Sequence, residues 1–299
     1  MHPPESPAAA AVKPAPASAP SGLSPSRADD FMTCPLLYRL RVIDKVPEQP
    51  SPAATRGTMV HAVLERLYDA PAGERTPTAA RALLRPEWER LLAERPELAG
   101  LFPGADGPSE LARWLADAEG LLDAYFRLED PNRLEPAERE LYVETVLESG
   151  LRLRGYVDRL DVAPTGELRV VDYKTGRAPG PDFEAKALFQ MKFYALVLWR
   201  TRGVVPRRLQ LVYLGGGGSI LSYDPDENDL RAVERKLHAL WDAIGRAVRT
   251  GEFRPRAGKL CGWCDHKSLC PEFGGTPPPY PLPVVSVPDP ARAPDDRVE

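Results

Sequence analysis

Two strand-like runs joined by the turn signal Ala163-Pro164-Thr165-Gly166 fix the centre of this chain. The first, Leu151 to Val162, carries Gly155-Tyr156-Val157-Asp158-Arg159-Leu160-Asp161. The second, Leu168 to Tyr173, is rich in valine and runs through Asp172 and Tyr173 into Lys174-Thr175-Gly176. With the turn centred on Thr165, Asp158 falls directly opposite Asp172, and Lys174 lies two residues further along the same face. Like charges facing each other across a ladder are unfavourable unless a cation sits between them. A lone Asp-x-Lys at a strand end is usually solvated charge and nothing more. Here it ends a strand apolar enough to be buried and faces a second aspartate, which points to chemistry. Hydrolysis of a phosphodiester needs a water of lowered pKa and a stabilised leaving oxygen. Carboxylates that hold Mg²⁺ or Mn²⁺ supply both, and a lysine beside them orients water or neutralises developing charge.

The residues before this hairpin have helical patterns. Ser24 caps a helix over Arg27 to Cys34. Met59, Val60, Val63, Leu64 and Leu67 give Arg56 to Tyr68 a helical period. Amphipathic helices follow from Thr78 to Glu94 and from Ser109 to Leu128, and Leu141 to Leu147 reads as a strand. Beyond the hairpin come a helix from Phe183 to Thr201, strands Arg208 to Tyr213 and Ser219 to Tyr223, and a last helix from Leu230 to Thr250. The order spells an α/β core with an N-terminal helical insertion.

The chain has 299 residues, enough for one large domain or two small ones. Its composition, 43% hydrophobic and 27% charged, supports a sizeable core. Residues 1–22 are dominated by Pro, Ala and Ser and lack the pattern of a signal peptide, so they read as a disordered tail. Residues 274–299 read as a second, Pro-rich tail, with Tyr280 to Val287 laid on the domain surface, and 23–273 as the ordered domain. No apolar run of about eighteen residues is present, so no transmembrane helix is expected; the expected compartment is the cytoplasm. A net charge of −4 excludes a uniformly basic nucleic-acid coat. There is no Gly-x-x-x-x-Gly-Lys-Ser/Thr phosphate loop, and hence no helicase motor in this sequence.

The pair Gly-x-x-Asp-Arg-x-Asp and Val-Val-Asp-Tyr-Lys-Thr-Gly resembles the core of RecB-family exonucleases within the PD-(D/E)XK nuclease superfamily. Gly57-Thr58-Met59-Val60-His61 is similar to the glycine and histidine of that family's early helix, and Gln190-Met191-Lys192-Phe193-Tyr194 to its Gln-x-x-x-Tyr. The resemblance implies a restriction-endonuclease-like core, a mixed sheet flanked by helices. It makes His61, Asp158, Asp172 and the Tyr173 carbonyl ligands of Mg²⁺ or Mn²⁺, Lys174 the catalytic lysine, and Gln190 and Tyr194 active-site or DNA-contacting residues. An acidic residue often precedes the hairpin in that family; Glu140 and Glu144 are both candidates.

Four cysteines complete the pattern. Cys261, Cys264 and Cys270 form a claw within ten residues, and Cys34 lies far upstream. In a reducing compartment two disulfides are a poor default, which leaves free thiols, a zinc site or an iron–sulfur site. The one-plus-three spacing is similar to that of the iron–sulfur RecB-family nucleases, which include CRISPR-associated adaptation nucleases and the small subunit of AddAB-type helicase–nucleases. That resemblance implies a structural 4Fe-4S cluster joining the two ends of the domain, with His266 a bystander or a donor to a ligand.

Basic residues gather at Arg39 and Arg41, at Arg200, Arg202, Arg207 and Arg208, and at Arg246, Arg249, Arg254, Arg256 and Lys259. They are candidates for phosphate contacts, with Tyr38, Phe253 and Trp263 as candidates for base stacking. The expected protein is a metal-dependent exonuclease acting on single-stranded DNA ends in repair or recombination, with a helicase or recombination partner. A CRISPR spacer-processing nuclease shares every motif. A non-catalytic DNA-binding subunit has no use for the triad Asp158, Asp172 and Lys174, and a zinc-stabilised interaction module is the remote rival.

Overall fold

A computed structural model describes residues 20–280. The expected tails therefore fall mostly outside the described residues, as does the segment from Pro281 to Val287. Helices α1 (Pro25–Thr33), α2 (Pro35–Tyr38), α3 (Pro52–Leu67), α4 (Pro77–Glu94) and α5 (Gly107–Leu128) come first. Strands β1 (Glu138–Val146), β2 (Arg152–Val162) and β3 (Leu168–Lys174) follow, then α6 (Pro181–Arg202), β4 (Arg208–Tyr213), β5 (Ser219–Tyr223) and α7 (Glu227–Thr250). Ser24, Ser51 and Thr76 each accept a backbone N–H and precede a proline at the first helical turn. That capping chemistry starts α3 four residues before the point that hydrophobic period alone suggests. α2 and the π-helical turn Arg39–Ile43, where the sequence offers no periodic pattern, were not expected.

The five strands form one mixed sheet in the order β1-β2-β3-β4-β5, with β3 and β4 parallel and the other pairs antiparallel. A parallel pair needs a crossover, which α6 supplies. Val170 and Leu168 of β3 face a core made with α6 and α7, through Phe193, Leu196, Leu237 and Ile244. Val171 and Tyr173 face the opposite core, built from α3, α4 and α5 around Met59, Trp88, Trp114 and Tyr125. Burial on both faces explains why β3 reads as a continuous apolar run and not as an alternating one.

Behind the sheet centre, Arg159 is only 1% exposed. Its guanidinium grips Glu129 through two nitrogens (2.8 and 2.9 Å) and donates to the hydroxyls of Tyr173 (2.6 Å) and Tyr68 (3.2 Å). Gln210 also donates to Glu129, at 3.1 Å. One buried cation thus ties α3, α5 and three strands together. Asp161 belongs to the same network, 2.8 Å from Arg169 and 3.1 Å from Arg159, and takes no part in the cleft described below.

Candidate active site

β2 and β3 pair in the register that the Thr165-centred turn predicts: Arg159 opposite Val171, Leu160 opposite Val170, Val162 opposite Leu168. The ladder ends there. At the next position, where Asp158 and Asp172 would meet, β3 leaves β2 and continues beside β4, with Asp172 next to Leu211 and Lys174 next to Tyr213. The Asp158 carboxylate fills the gap by accepting the Tyr173 N–H at 2.7 Å. The two aspartates therefore do not face each other across a ladder; they flank the fork where two strands part.

On one side of the fork, Asp172 is 2% exposed. Its Oδ1 accepts from Gln190 Nε2 at 2.8 Å, and Lys174 Nζ stands 2.6 Å from its Oδ2. That ion pair lacks hydrogen-bond geometry, so Oδ2 is a buried oxygen with no hydrogen-bond partner among the described residues. Lys174 also donates to Gln190 Oε1 at 2.9 Å, and the Tyr194 hydroxyl lies 3.4 Å from Gln190 Nε2. Gln190 and Tyr194 share a face of α6, as their spacing requires. Gly155 lets that face approach: a Cβ there would meet Tyr194 at 2.7 Å.

On the other side, His61 Nδ1 lies 3.4 Å from Asp158 Oδ2. Donor atoms of His61, Glu140 and Asp158 all lie within 4.8 Å of one another. The sequence left Glu140 and Glu144 undecided; geometry separates them. Glu144 turns to Arg152 and accepts from the Tyr142 hydroxyl, whereas Glu140 enters the group. Glu140 has φ +44°, a conformation that costs a non-glycine residue about 1 kcal/mol or more and concentrates at functional sites. The set expected from the resemblance is thus split: His61 and Asp158 gather with Glu140, while Asp172 is held by Lys174 and Gln190. Tyr173 directs its side chain away, into the Arg159 network, and its N–H to Asp158.

Electrostatics mark the fork as a site that wants a cation. Burial and the charge of Asp158 push Asp172 up to about 6, against the pull of Lys174. Burial and Asp158 push Glu140 up to about 7. Burial draws His61 down, but the hydrogen bond and charge of Asp158, with Asp172 and Glu140, outweigh it and hold the imidazole above its ordinary value. One imidazole and several partly or fully buried carboxylates, carrying unfavourable charge, fit a hard divalent ion, with imidazole suiting Mn²⁺ better than Mg²⁺. Without an ion, Glu140 keeps its proton in the fold up to about pH 7 but loses it near 4.5 when unfolded. The fold therefore binds more protons in that window and loses stability as pH rises through it. Metal-free Glu140→Gln should melt a few degrees above the parent at pH 8, roughly 1 kcal/mol after discounting for partial exposure, with the gap closing towards pH 5. Melts in EDTA at both pH values check this; an equal gap at both would reject the charge explanation.

Lys174, Gln190 and Tyr194 open onto a cleft of about 900 Å³ that also reaches α1, β1 and β2. A second cavity, of about 340 Å³, is lined by all four cysteines and by His266. None of the four is in a disulfide. The N–H groups of Arg256 and Gly258 point at the sulfurs of Cys34 (3.4 Å) and Cys261 (3.3 Å). Burial raises the Cys270 thiol, and Cys34, Cys264 and Cys261 add to the effect. His266 is buried with Nε2 2.9 Å from Glu48 Oε1.

Several residues of the basic clusters are held in ion pairs. Arg39 is buried beside Asp44 and under the Tyr280 ring; Arg41 is paired with Asp30 and Glu48, Arg200 with Glu234, Arg207 and Arg208 with Asp224, and Arg254 with Glu252. Tyr38 is fully buried and Phe253 packs on Tyr280, so neither can stack a base; Trp263 is 80% exposed, beside the thiol cavity. Of these arginines, only Arg39 is taken out of solvent; the ion pairs of Arg207, Arg208 and Arg254 are exposed.

A family model of the PD-(D/E)XK nuclease superfamily matches residues 22–271. The chain belongs to the PD-(D/E)XK nuclease superfamily. This nuclease is 27% identical over 286 residues to the Gene 69 protein of Mycobacterium phage L5 and 28% identical over 277 residues to that of phage D29. Each alignment takes in 84% of this chain and 96% of the phage protein. A crystal structure of a candidate exonuclease from Eubacterium rectale superposes with a TM-score of 0.54 at 14% identity, covering 82% of this chain and 88% of the other. That likeness is one of fold. Membership of a nuclease superfamily implies DNA as the substrate, and PD-(D/E)XK nucleases use divalent metals. Among the described residues no helix is long and apolar enough to cross a membrane.

Proposed function

We propose that this nuclease is a RecB-type, Mg²⁺- or Mn²⁺-dependent deoxyribonuclease that hydrolyses phosphodiester bonds at single-stranded DNA ends. Its setting is DNA repair or recombination in the cytoplasm, beside a helicase or recombination partner, with residues 23–273 as the nuclease domain. The observation that carries this reading is the fork: Asp172, Lys174 and Gln190 hydrogen-bonded together on one side, His61, Glu140 and Asp158 gathered on the other. His61, Asp158, Asp172 and the Tyr173 carbonyl are the ligands we assign, with Glu140 added from its position. The ion, when bound, lowers the pKa of a water and draws charge from the scissile phosphate.

The protein's own groups do the rest. Lys174 is held by Asp172 and by Gln190 Oε1, so its ammonium stands fixed at the cleft wall, where it can meet a phosphate oxygen or hold a water. Gln190 sets the distance between the lysine and the aspartate by bonding both. Tyr194, behind Gln190, keeps that amide in place. Digestion of end-labelled single-stranded DNA with Mn²⁺ tests the activity; a protein inert on every DNA end would reject it.

We assign the four cysteines to a 4Fe-4S cluster. Convergence on one cavity and N–H groups aimed at sulfur support it. Cys264→Ala should lose its iron and the brown absorbance, and should melt at a lower temperature, because the cluster closes a long loop. An iron assay on anaerobically purified protein decides; unchanged iron in the variant removes Cys264 from the ligand set.

A further inference from the structure

The cleft that exposes Lys174 has a second feature that the nuclease chemistry does not use. Tyr142 and Tyr156 are direct partners across β1 and β2, 46% and 57% exposed, with ring centroids 5.2 Å apart and planes inclined at 57°. Both line the cleft. Each stands two residues along its strand from a group of the fork, Tyr142 from Glu140 and Tyr156 from Asp158, a step of about 7 Å. A cross-strand aromatic pair contributes to any sheet; this one also stands about half exposed at the mouth of a cleft, with the Tyr142 hydroxyl donating to Glu144. Arg27, Arg154 and Arg177 line the same cleft, and among the described residues none of them has a carboxylate within ion-pair distance. Apolar ring faces flanked by unneutralised cations match one occupant: a nucleic-acid strand with its bases turned out.

We infer that Tyr142 and Tyr156 form a base-stacking platform that grips an unpaired nucleotide of a DNA strand and sets its phosphate at the Asp158–Asp172 fork, with Arg27, Arg154 and Arg177 on the neighbouring phosphates. It rests on the nuclease reading above and deepens it. A duplex keeps the faces of its bases stacked on each other, so the platform favours single strands and frayed ends. Selectivity for unpaired DNA then comes from two tyrosines and not from the metal site.

The test uses the full chain in EDTA, so that binding is read without cleavage. A fluorescein-labelled 20-mer strand and the duplex of the same sequence are titrated by anisotropy against the parent, Tyr142→Ala, Tyr156→Ala and the two phenylalanine variants. Each alanine variant should weaken single-strand binding by between about fivefold and a hundredfold. Phenylalanine, which keeps the ring, should hold single-strand affinity near the parent's, and duplex binding should change little throughout. A 20-mer lacking bases at its terminal nucleotides should lose the same affinity for the unaltered protein, which tests the contact even if an alanine variant folds poorly. Equal single-strand affinity in parent and alanine variants, or no loss with the base-free strand, overturns the platform. If Mn²⁺-dependent cleavage persists in that case, the nuclease reading stands without it. Weakened binding in the alanine variants of a protein that never cleaves keeps the platform and removes the nuclease reading.

Discussion

Asp172→Ala should cut single-strand cleavage at least a thousandfold while leaving the fold intact. A metal and its ligands contribute several kcal/mol to a phosphoryl transition state, and each 1.36 kcal/mol is tenfold in rate. The alanine also releases Lys174 and Gln190, since both take their positions from that carboxylate. Removing a buried carboxylate whose charge burial and Asp158 already disfavour should not destabilise the metal-free fold at pH 8. Loss of activity with an unchanged melt therefore separates chemistry from folding. Cleavage within tenfold of the parent would sink the assignment of the fork as the active site.

Arg159→Met should have the largest effect on stability. The guanidinium is 1% exposed and its partner Glu129 is nearly as buried. Breaking a buried ion pair from one side strands the other charge, at a cost of about 3–5 kcal/mol. For a domain of this size that lowers the melting temperature by roughly 6–20 °C. Adding Glu129→Leu removes the stranded carboxylate and should recover part of the loss, less than all of it because the hydroxyls of Tyr68 and Tyr173 lose their donor as well. Thermal melts of the single and double variants measure this. A single variant that melts within 2 °C of the parent would show that the network is well solvated after all.

Much of this was legible in the sequence, where local rules set the outcome. The turn at Thr165 predicts the β2–β3 register because side chains alternate with period two, and the observed partners agree. The same argument was open for the preceding turn. Centred on Ser149, it sets Glu140 against Asp158, Tyr142 against Tyr156 and Glu144 against Arg154; the last two pairs are in the observed β1–β2 register, which passes over Glu140 between Arg139–Arg159 and Leu141–Val157. Both the choice of Glu140 and the tyrosine pair could have been read that way. The splaying of β3 from β2 could not, because it depends on β4, which arrives after a whole helix. The positive φ of Glu140 is likewise invisible, as nothing in a glutamate announces it. Ion pairs such as Arg200 with Glu234 form between elements, and composition along the chain does not record them.

The meeting of the chain's two ends has a consequence for the order in which the molecule is made. α1 walls the cleft through Ser24, Pro25 and Arg27, and it is pinned by Arg256, which donates to the Met32 carbonyl and to the Cys34 sulfur across 224 and 222 residues. Closing a loop of that length costs about 5 kcal/mol of chain entropy, which the burial of Leu23, Ala28 and Phe31 helps to offset. Helix α1 is seated from two distant parts of the chain, on β2 through the Leu23 backbone and on the thiol-bearing segment through Arg256, so the wall of the cleft is fully anchored only after that last segment has been made.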